Sequence, residues 1–284
     1  MHNLKILDGA IGSELILKDE ILPPYIWSAK TNLSNPKLLL DIYNKYIQAG
    51  SNYITTNTFR TTARAYKKTG LSHFKAQEEA NKSMEAAIRI AKKAAIQSTK
   101  ILGSIAPLED CYLPHLFPGN NIAKNEFLVI AKSLREGGID GYILETMNNI
   151  SETKICLEVI QDFNLPVWVS FNLLDGHHIR SGEKLIDAIN MTVNFNVDYI
   201  LLNCNPLERT NDAMKIISDT SYKWGIYPNL GVGEPSPDGI INNYYSDKEF
   251  LELCKNAINL GASVLGGCCG TSPRHIKLIR DYFG

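Results

Sequence analysis

The feature that most constrains the fold is an eightfold alternation of short apolar segments with longer amphipathic ones. The apolar segments have the length of buried strands, and the others carry apolar residues at helical spacing. One such helix is predicted to begin at Asn35-Pro36 and to end at Gly50. Strands that alternate with helices pair in parallel through right-handed crossovers. Eight units in 284 residues predict an α/β fold, a single-domain (β/α)8 TIM barrel over residues 1–284, with a doubly wound open sheet as the alternative.

Composition excludes several classes of partner. The net charge of -1 gives no reason to expect nucleic acid or an anionic membrane as partner. No apolar run reaches the roughly 18 residues that a membrane span needs. Six cysteines, together with an N-terminal segment (residues 1–3) that leads directly into a predicted strand without a signal-peptide pattern, predict a reducing, cytoplasmic location. The sequence leaves a homo-oligomer open.

The predicted carboxyl ends of the eight strands share one property, because every residue there is polar or carries a thiol. The active site of such a barrel lies at this end of the strands, so the pattern predicts a polar site. The stretch from Gly231 to Tyr245, rich in glycine and proline, is predicted to be an active-site loop rather than a domain boundary. The strand-end residues are Asp8, Asn57, Ser104, Glu145, Asn172, Cys204, Asn229 and the pair Cys268-Cys269.

Three of the six cysteines fall at two of these strand ends. Cys204 follows one apolar run, and Cys268-Cys269 follow another inside a Gly-Gly-Cys-Cys-Gly sequence. Adjacent residues of a regular strand point to opposite faces, so the flanking glycines are expected to permit an irregular backbone that turns both thiols to one point. Adjacent cysteines alone are more often inert and buried. The added Cys204 favours a catalytic zinc site with three thiolates and one open coordination position.

The other cysteines and a histidine pair are interpreted as structural. Cys156 and Cys254 fall in predicted helices as small packing residues, and Cys111 has no partner motif. The pair His177-His178 follows an Asp-Gly sequence, which favours a solvated turn over a metal site.

The chain resembles the homocysteine S-methyltransferase family along its whole length, with the motifs in the same order. The resemblance implies a zinc barrel that methylates homocysteine to methionine, with Zn2+ held by Cys204, Cys268 and Cys269. The motifs that carry it are Asp8-Gly9-Ala10-Ile11-Gly12-Ser13-Glu14-Leu15, Trp27-Ser28-Ala29-Lys30, Thr56-Asn57-Thr58-Phe59, Asn203-Cys204, Tyr227-Pro228-Asn229 and Gly266-Gly267-Cys268-Cys269-Gly270-Thr271-Ser272-Pro273.

The resemblance also implies how homocysteine is held. Asp8 and Glu145 match the positions that bind the substrate ammonium group, and the backbone amides from Gly9 to Gly12 could form a nest for its carboxylate. An unpaired carboxylate at the end of an apolar strand is costly, which favours a functional Glu145, whereas Asp8 could simply form an Asp-Gly turn. Asn229 is expected to contact substrate, to bind zinc in the free enzyme, or to be a turn residue.

The methyl donor is predicted to be a small cation, because the eight units use the whole chain and leave no folate or cobalamin domain. Aromatic side chains bind such cations, and Trp27 and Phe59 are the candidates, with Tyr227 a further one. Ser28 belongs to the same motif as Trp27 and is taken as a substrate contact. Arg60 stands where the betaine-using branch resembles an aromatic pair, and it could clamp a donor's carboxylate.

These features favour a sulfonium donor, namely S-methylmethionine, S-adenosylmethionine or dimethylsulfoniopropionate. Betaine–homocysteine methyltransfer is the first alternative. A homocysteine-activating module that takes its methyl group from a separate cobalamin protein is the second, and a metal-binding barrel without catalysis is the third.

Overall fold

The strands form one parallel sheet in a computed structural model that describes residues 4–233, 236 and 239–284. Neighbouring strands follow the order β1-β8-β7-β6-β5-β4-β3-β2, so each strand lies beside its neighbours in sequence. A doubly wound sheet would reverse this order part-way, and it is therefore excluded. The strands are β1 (Lys5–Ile6), β2 (Tyr53–Thr55), β3 (Lys100–Ile105), β4 (Gly141–Met147), β5 (Val167–Phe171), β6 (Tyr199–Asn203), β7 (Lys223–Tyr227) and β8 (Val264–Leu265).

Each strand of the described chain is followed by at least one helix, which confirms the predicted (β/α)8 barrel. Within the described residues, no helix combines the length and the apolar character that crossing a bilayer requires. The α-helices are α1 (Ile11–Ile16), α2 (Thr31–Ser34), α3 (Pro36–Ala49), α4 (Ala63–Lys67), α5 (His73–Ala94), α6 (Asn120–Gly137), α7 (Ile150–Ile160), α8 (Leu185–Met191), α9 (Leu207–Ser218), α10 (Asp247–Asn259) and α11 (Pro273–Phe283).

Local sequence signals explain where these helices begin and end. The side-chain oxygen of Asn35 accepts a hydrogen bond from the Leu38 amide at 3.3 Å, as an N-cap residue does. Gly50 follows the helix with a φ of 123°, a conformation that favours glycine. The helix predicted between these two residues is therefore confirmed.

The barrel closes between β1 and β2 through Asn52. The side-chain oxygen of Asn52 accepts a hydrogen bond from the Ile6 amide at 2.9 Å, and its own amide donates to the Ile6 carbonyl at 3.0 Å. Just beyond the carboxyl end of β1, the carboxylate of Asp8 accepts a hydrogen bond from the amide of Thr55, the last residue of β2, at 2.9 Å. In the described chain, these hydrogen bonds take the place of backbone pairing between β1 and β2, which lie at the two ends of the sheet order.

Side chains fill the barrel interior below the strand ends. At the amino ends of the strands, the ring of Trp168 lies 4.9 Å from that of Tyr53 and 4.5 Å from that of Tyr199. A barrel interior of this kind is a packed core and not a pore. A cavity inside the barrel must therefore open at the carboxyl ends of the strands.

Candidate metal centre and substrate cavity

A cavity of about 480 Å³ opens at the carboxyl ends of the strands. Ser236 and Gly239 contribute to its wall, so the described part of the predicted active-site loop does reach the cavity. Residues 234, 235, 237 and 238 of that loop, and residues 1–3 at the N-terminus, lie outside the described residues. The predicted site residues that line the cavity are Asp8, Gly9, Trp27, Ser28, Phe59, Arg60, Glu145, Cys204, Cys268 and Cys269.

The sulfur atoms of Cys204, Cys268 and Cys269 all lie within 4.8 Å of one another. The Sγ atoms of Cys204 and Cys269 are 3.8 Å apart. Two ligands at about 2.3 Å from one tetrahedral zinc ion would be separated by about 3.8 Å. The donor set and its spacing therefore fit a single zinc ion with the three cysteines as ligands.

Cys204 reaches the cavity because the backbone leaves the strand geometry immediately after β6. Its φ is 57°, in the left-handed region that side-chain-bearing residues rarely occupy. The side-chain Nδ2 of Asn172 donates to the Cys204 carbonyl oxygen at 3.0 Å and stabilises this conformation. The strand itself ends at Asn203, so Cys204 is the first residue beyond it.

The sequence predicted the Cys268-Cys269 pair at the end of β8. The structure instead places the pair in a turn beyond that strand. The strand stops at Leu265, three residues earlier. A Cβ atom at Gly267 would lie 2.4 Å from the hydroxyl oxygen of Thr271, so only glycine fits there. Gly270 has a φ of 82°, which reverses the chain after the pair.

Asn229 positions the cysteine pair from β7's side of the site. Its side chain is 2% exposed, and Oδ1 accepts a hydrogen bond from the Cys269 amide at 3.0 Å. The next amide, that of Leu230, donates to the Cys269 carbonyl at 2.8 Å. Asn229 does not line the substrate cavity. The structure thus shows Asn229 bound to the backbone of the turn that carries the cysteine pair, and its contact with substrate or zinc stays a prediction.

The thiols influence one another's protonation. Hydrogen bonds from Cys204 and Cys268 lower the pKa of Cys269 well below its usual value. Hydrogen bonding to Cys204 and Cys269, together with burial, raises the pKa of Cys268. One thiolate supported by two neighbouring thiols is an environment that favours a bound cation.

Two carboxyl groups form an acidic patch beside the cysteines. Asp8 is 4% exposed, and burial raises its pKa against the opposing hydrogen bond from the Thr55 amide. Burial also raises the pKa of Glu145 to about 7, while the hydroxyl of Ser104, which donates to its carboxylate, lowers it. The negative charge of Glu145 further raises the pKa of Asp8. A positive charge between the two groups would offset this repulsion and lower both pKa values, which favours the ionised carboxylates.

The amides expected to form a nest for the substrate carboxylate are only partly available. The amide of Ala10 donates to the hydroxyl of Thr271 at 3.2 Å. This hydrogen bond joins the segment that begins at Gly9 to the turn that carries the cysteine pair. The predicted nest therefore lacks at least one of its donors.

The residues predicted to bind the methyl donor line the cavity, but some of their side chains already make contacts within the protein. The guanidinium of Arg60 stacks 4.6 Å from the ring centre of Phe59 and donates to the Pro107 carbonyl at 2.8 Å. One face of the Phe59 ring is therefore covered. The hydroxyl of Ser28 donates to Asn57 at 2.6 Å, so its proton is already used within the fold. Trp27 remains the aromatic side chain best suited to a cationic donor.

Most of the residues interpreted as structural lie away from the metal-binding group, but Cys111 is buried in the wall of the same cavity. The carboxylate of Asp175 accepts hydrogen bonds from the amides of His177 and His178 at 2.7 and 2.9 Å, which forms a solvated turn. Cys156 and Cys254 are buried in α7 and α10.

Comparison with known proteins identifies the family. Residues 5–283 match the family model described as homocysteine S-methyltransferase. The chain belongs to the homocysteine S-methyltransferase family. It is 29% identical to homocysteine S-methyltransferase 3 of Zea mays, over 96% of this chain and 88% of that protein. It is 26% identical to homocysteine S-methyltransferase YbgG of Bacillus subtilis, over 98% of this chain and 94% of that protein.

A solved structure shares the fold of this family member. The homocysteine methyltransferase MmuM of Escherichia coli, in its metallated form, superimposes with a TM-score of 0.83 at 24% identity. The match covers 98% of this chain and 96% of that one. The resemblance inferred from the motifs is thus confirmed at the level of family and fold.

Sequence reasoning missed several residues that line the cavity of this family member, and three of them bear directly on the site. The hydroxyl of Tyr112 lies 3.1 Å from the Cys204 sulfur, and the guanidinium of Arg180 lies 5.0 Å from the Tyr112 ring centre. Both belong to loops with no periodic pattern. Thr146 has a φ of 53° and a buried hydroxyl without a partner. Its only sequence signal was its place next to Glu145.

Proposed function

We propose that this protein is a zinc-dependent homocysteine S-methyltransferase that makes methionine by direct methyl transfer from a small sulfonium donor. The observation that carries the proposal is the group of three cysteine sulfurs within 4.8 Å at the cavity wall. Structural zinc sites usually close all four positions with protein ligands, whereas three protein ligands leave a position for a substrate.

Cys204, Cys268 and Cys269 would hold the metal, and their thiolates fill three of its coordination positions. When bound, Zn2+ supplies a positive charge that deprotonates the homocysteine thiol, whose pKa of about 8.5 leaves little thiolate at neutral pH. The protein places the ammonium group and the sulfur of the substrate at a fixed separation. Orientation of this kind contributes to the rate independently of the metal.

Asp8 and Glu145 would bind the ammonium group of homocysteine between their carboxylates. Glu145 has a pKa of about 7 without substrate, so a nearby positive charge would favour its ionised form. Thr146 lines the same cavity, and its buried hydroxyl lacks a hydrogen-bond partner. A buried hydroxyl without a partner costs roughly 1–3 kcal/mol, so a polar group of the substrate would gain by meeting it.

The donor would lie against Trp27, whose indole can attract a sulfonium group through its ring face. Arg60 and Arg180 line the same cavity and offer positive charge to a donor's carboxylate. The bond between the donor sulfur and its methyl group breaks as the bond between that methyl group and the homocysteine sulfur forms. The donor leaves as a neutral thioether, so no proton is transferred in this step.

The test is to incubate the zinc-loaded protein with deuterated homocysteine and each candidate donor separately. Mass spectrometry of the methionine distinguishes the methylated acceptor from the thioether that S-methylmethionine leaves behind. We expect labelled methionine from a sulfonium donor with the parent protein and with Cys254→Ala, and none with Cys204→Ser. Cys254 is the matched control because it is buried in α10 and does not line the cavity.

Three results would replace the proposal by its alternatives. Labelled methionine from glycine betaine alone would assign the protein to betaine-dependent transfer. Labelled methionine that requires added methylcobalamin would make it the acceptor module of a cobalamin-dependent relay. No labelled methionine under any condition, with zinc bound, would leave a metal-binding barrel without this activity.

We also propose that residues 1–284 work as one domain in the cytoplasm on small-molecule substrates. All six cysteines are free, and a group of three neighbouring thiols at a cavity wall is best preserved in a reducing compartment.

A further inference from the structure

We infer that Tyr112 is a positioning residue of the metal centre, whose hydroxyl donates a hydrogen bond to the thiolate of Cys204. The phenol oxygen and the sulfur are 3.1 Å apart. The inference rests on the proposed function, because it takes Cys204 to be a metal ligand.

The chemistry of the ligand fixes the direction of this hydrogen bond. A cysteine binds a metal as the thiolate, which carries no proton. The phenol is then the only one of the two groups that can donate. Hydrogen bonds to an ionised acceptor are stronger than those between neutral groups, with a net contribution of about 1.5–3 kcal/mol.

The loop between β3 and α6 holds Tyr112 in this place. The carboxylate of Asp110 accepts a hydrogen bond from the Tyr112 amide at 2.9 Å, and its carbonyl accepts one from the Leu113 amide at 2.9 Å. The side chain of Asn148, beyond β4, donates to the Cys111 carbonyl at 3.1 Å. The residues on both sides of the tyrosine are therefore anchored.

Arg180 approaches the same tyrosine from the segment that follows β5. Its guanidinium carbon lies 5.0 Å from the ring centre, and its amide donates to the Asn172 carbonyl at 3.0 Å. The side chain of Asn172 in turn donates to the Cys204 carbonyl. The loops that follow three strands thus meet at Cys204. The guanidinium of Arg180 stacks on the Tyr112 ring and keeps the phenol beside the Cys204 sulfur.

Donation to Cys204 would draw electron density from its sulfur. The sulfur of Cys204 would then donate less electron density to the metal than it would without this hydrogen bond. Groups that bind a metal ligand in this way are known to change metal affinity or activity by 10–100-fold when removed. The hydroxyl of Tyr112 would therefore tune the centre without touching the substrate.

The experiment uses Co2+ in place of zinc, without substrate, so that the centre is observed by its absorption spectrum. We expect Tyr112→Phe to move the thiolate-to-metal charge-transfer band to lower energy, because a sulfur without its hydrogen bond gives up electrons more easily. We also expect metal affinity, measured by competition with a chromophoric chelator, to fall by about tenfold or more, because the hydrogen bond holds Cys204 in place and stabilises the thiolate form that binds the metal. Tyr282→Phe, on the exposed face of α11, is the matched control and should change neither quantity.

A second variant separates the hydrogen bond from general loosening of the loop. Arg180→Met should shift the band in the same direction when Tyr112 is present and have no further effect in the Tyr112→Phe background. An unchanged band and affinity in Tyr112→Phe would overturn the inference while leaving the proposed function intact. Failure of the parent protein to bind Co2+ through thiolates would instead remove the metal centre, and both proposals with it.

Discussion

Three residues that line the cavity at the mouth of the barrel have left-handed backbone conformations, Cys204 with a φ of 57°, Thr146 with a φ of 53° and Trp27 with a φ of 47°. Such conformations cost roughly 1–3 kcal/mol each and persist where surrounding contacts enforce them. The side chain of Asn203 supplies one such contact, since its oxygen accepts hydrogen bonds from the Thr146 amide at 2.9 Å and from the Ser170 hydroxyl at 2.6 Å. Cys204 thereby lines the cavity from just beyond the end of β6, and Thr146 lines it from within β4, at the register shift near the carboxyl end of that strand.

Glu145 should show opposite effects on stability and on substrate binding. Its pKa of about 7 lies above the ordinary 4.5, so the folded protein binds a proton more tightly than the unfolded chain between these values. The free energy of unfolding therefore falls as pH rises through this window. Glu145→Gln removes the effect, and at pH 8 it should stabilise the protein by about 2 kcal/mol.

The same substitution removes one partner of the substrate ammonium group. We expect the KM for homocysteine to rise about 10–100-fold at pH 8, in line with the loss of one charged hydrogen bond. Urea unfolding and initial rates measure the two effects, with Glu136→Gln on the exposed surface of α6 as control. Lower stability of Glu145→Gln at pH 8, or an unchanged KM, would contradict the assignment.

At the scale of elements, α11 fixes the turn that carries the cysteine pair. The helix begins just after Ser272, whose amide donates to the Nδ1 atom of His275 at 3.1 Å. The ring of His275 packs edge-on against Phe250 of α10, with ring centres 5.7 Å apart. The imidazole must be neutral to accept this hydrogen bond.

Burial, assisted by the charge of Arg274, lowers the pKa of His275 from its usual 6.5 to about 4. The unfolded chain therefore binds a proton that the folded protein does not, and stability is lost as pH falls from 6.5 towards 4. His275 should account for about 2 kcal/mol of the stability lost between pH 7.5 and pH 4.5.

His275→Gln keeps a hydrogen-bond acceptor at this position but cannot titrate, so it should flatten this part of the pH dependence. Urea midpoints at the two pH values measure the effect, and His115→Gln, at an exposed position, is the control. A variant that loses as much stability as the parent protein would show that the helix start is not a pH-sensitive element.

At the scale of the whole molecule, the barrel depends on the closure between β1 and β2. Asn52 supplies side-chain and backbone hydrogen bonds to Ile6 at this seam. Asn52→Ala leaves the Ile6 amide without its partner, and we expect a loss of about 1–3 kcal/mol in the free energy of unfolding. Asn81→Ala on the exposed face of α5 should change stability by no more than about 0.5 kcal/mol. Equal effects of the two substitutions would contradict a special role for the seam.

Much of this architecture could be predicted because periodic patterns report which faces are buried. The alternation of strands and helices predicted the barrel, and the residues at the strand ends included Glu145 and Cys204. The details depend on contacts between distant segments, which periodicity does not encode. The left-handed Thr146 depends on Asn203, and the placement of Tyr112 depends on loops from three strands. Asn229 had the right position, but its partner is the Cys269 amide.

The central claim is that three cysteines bind one zinc ion and leave a position for the homocysteine sulfur. X-ray absorption at the zinc edge counts the sulfur ligands directly, with and without homocysteine. We expect three sulfurs and one lighter atom in the free protein, and four sulfurs after homocysteine is added. A count that stays at three in the presence of saturating homocysteine, or that falls below three in the free protein, would contradict the claim.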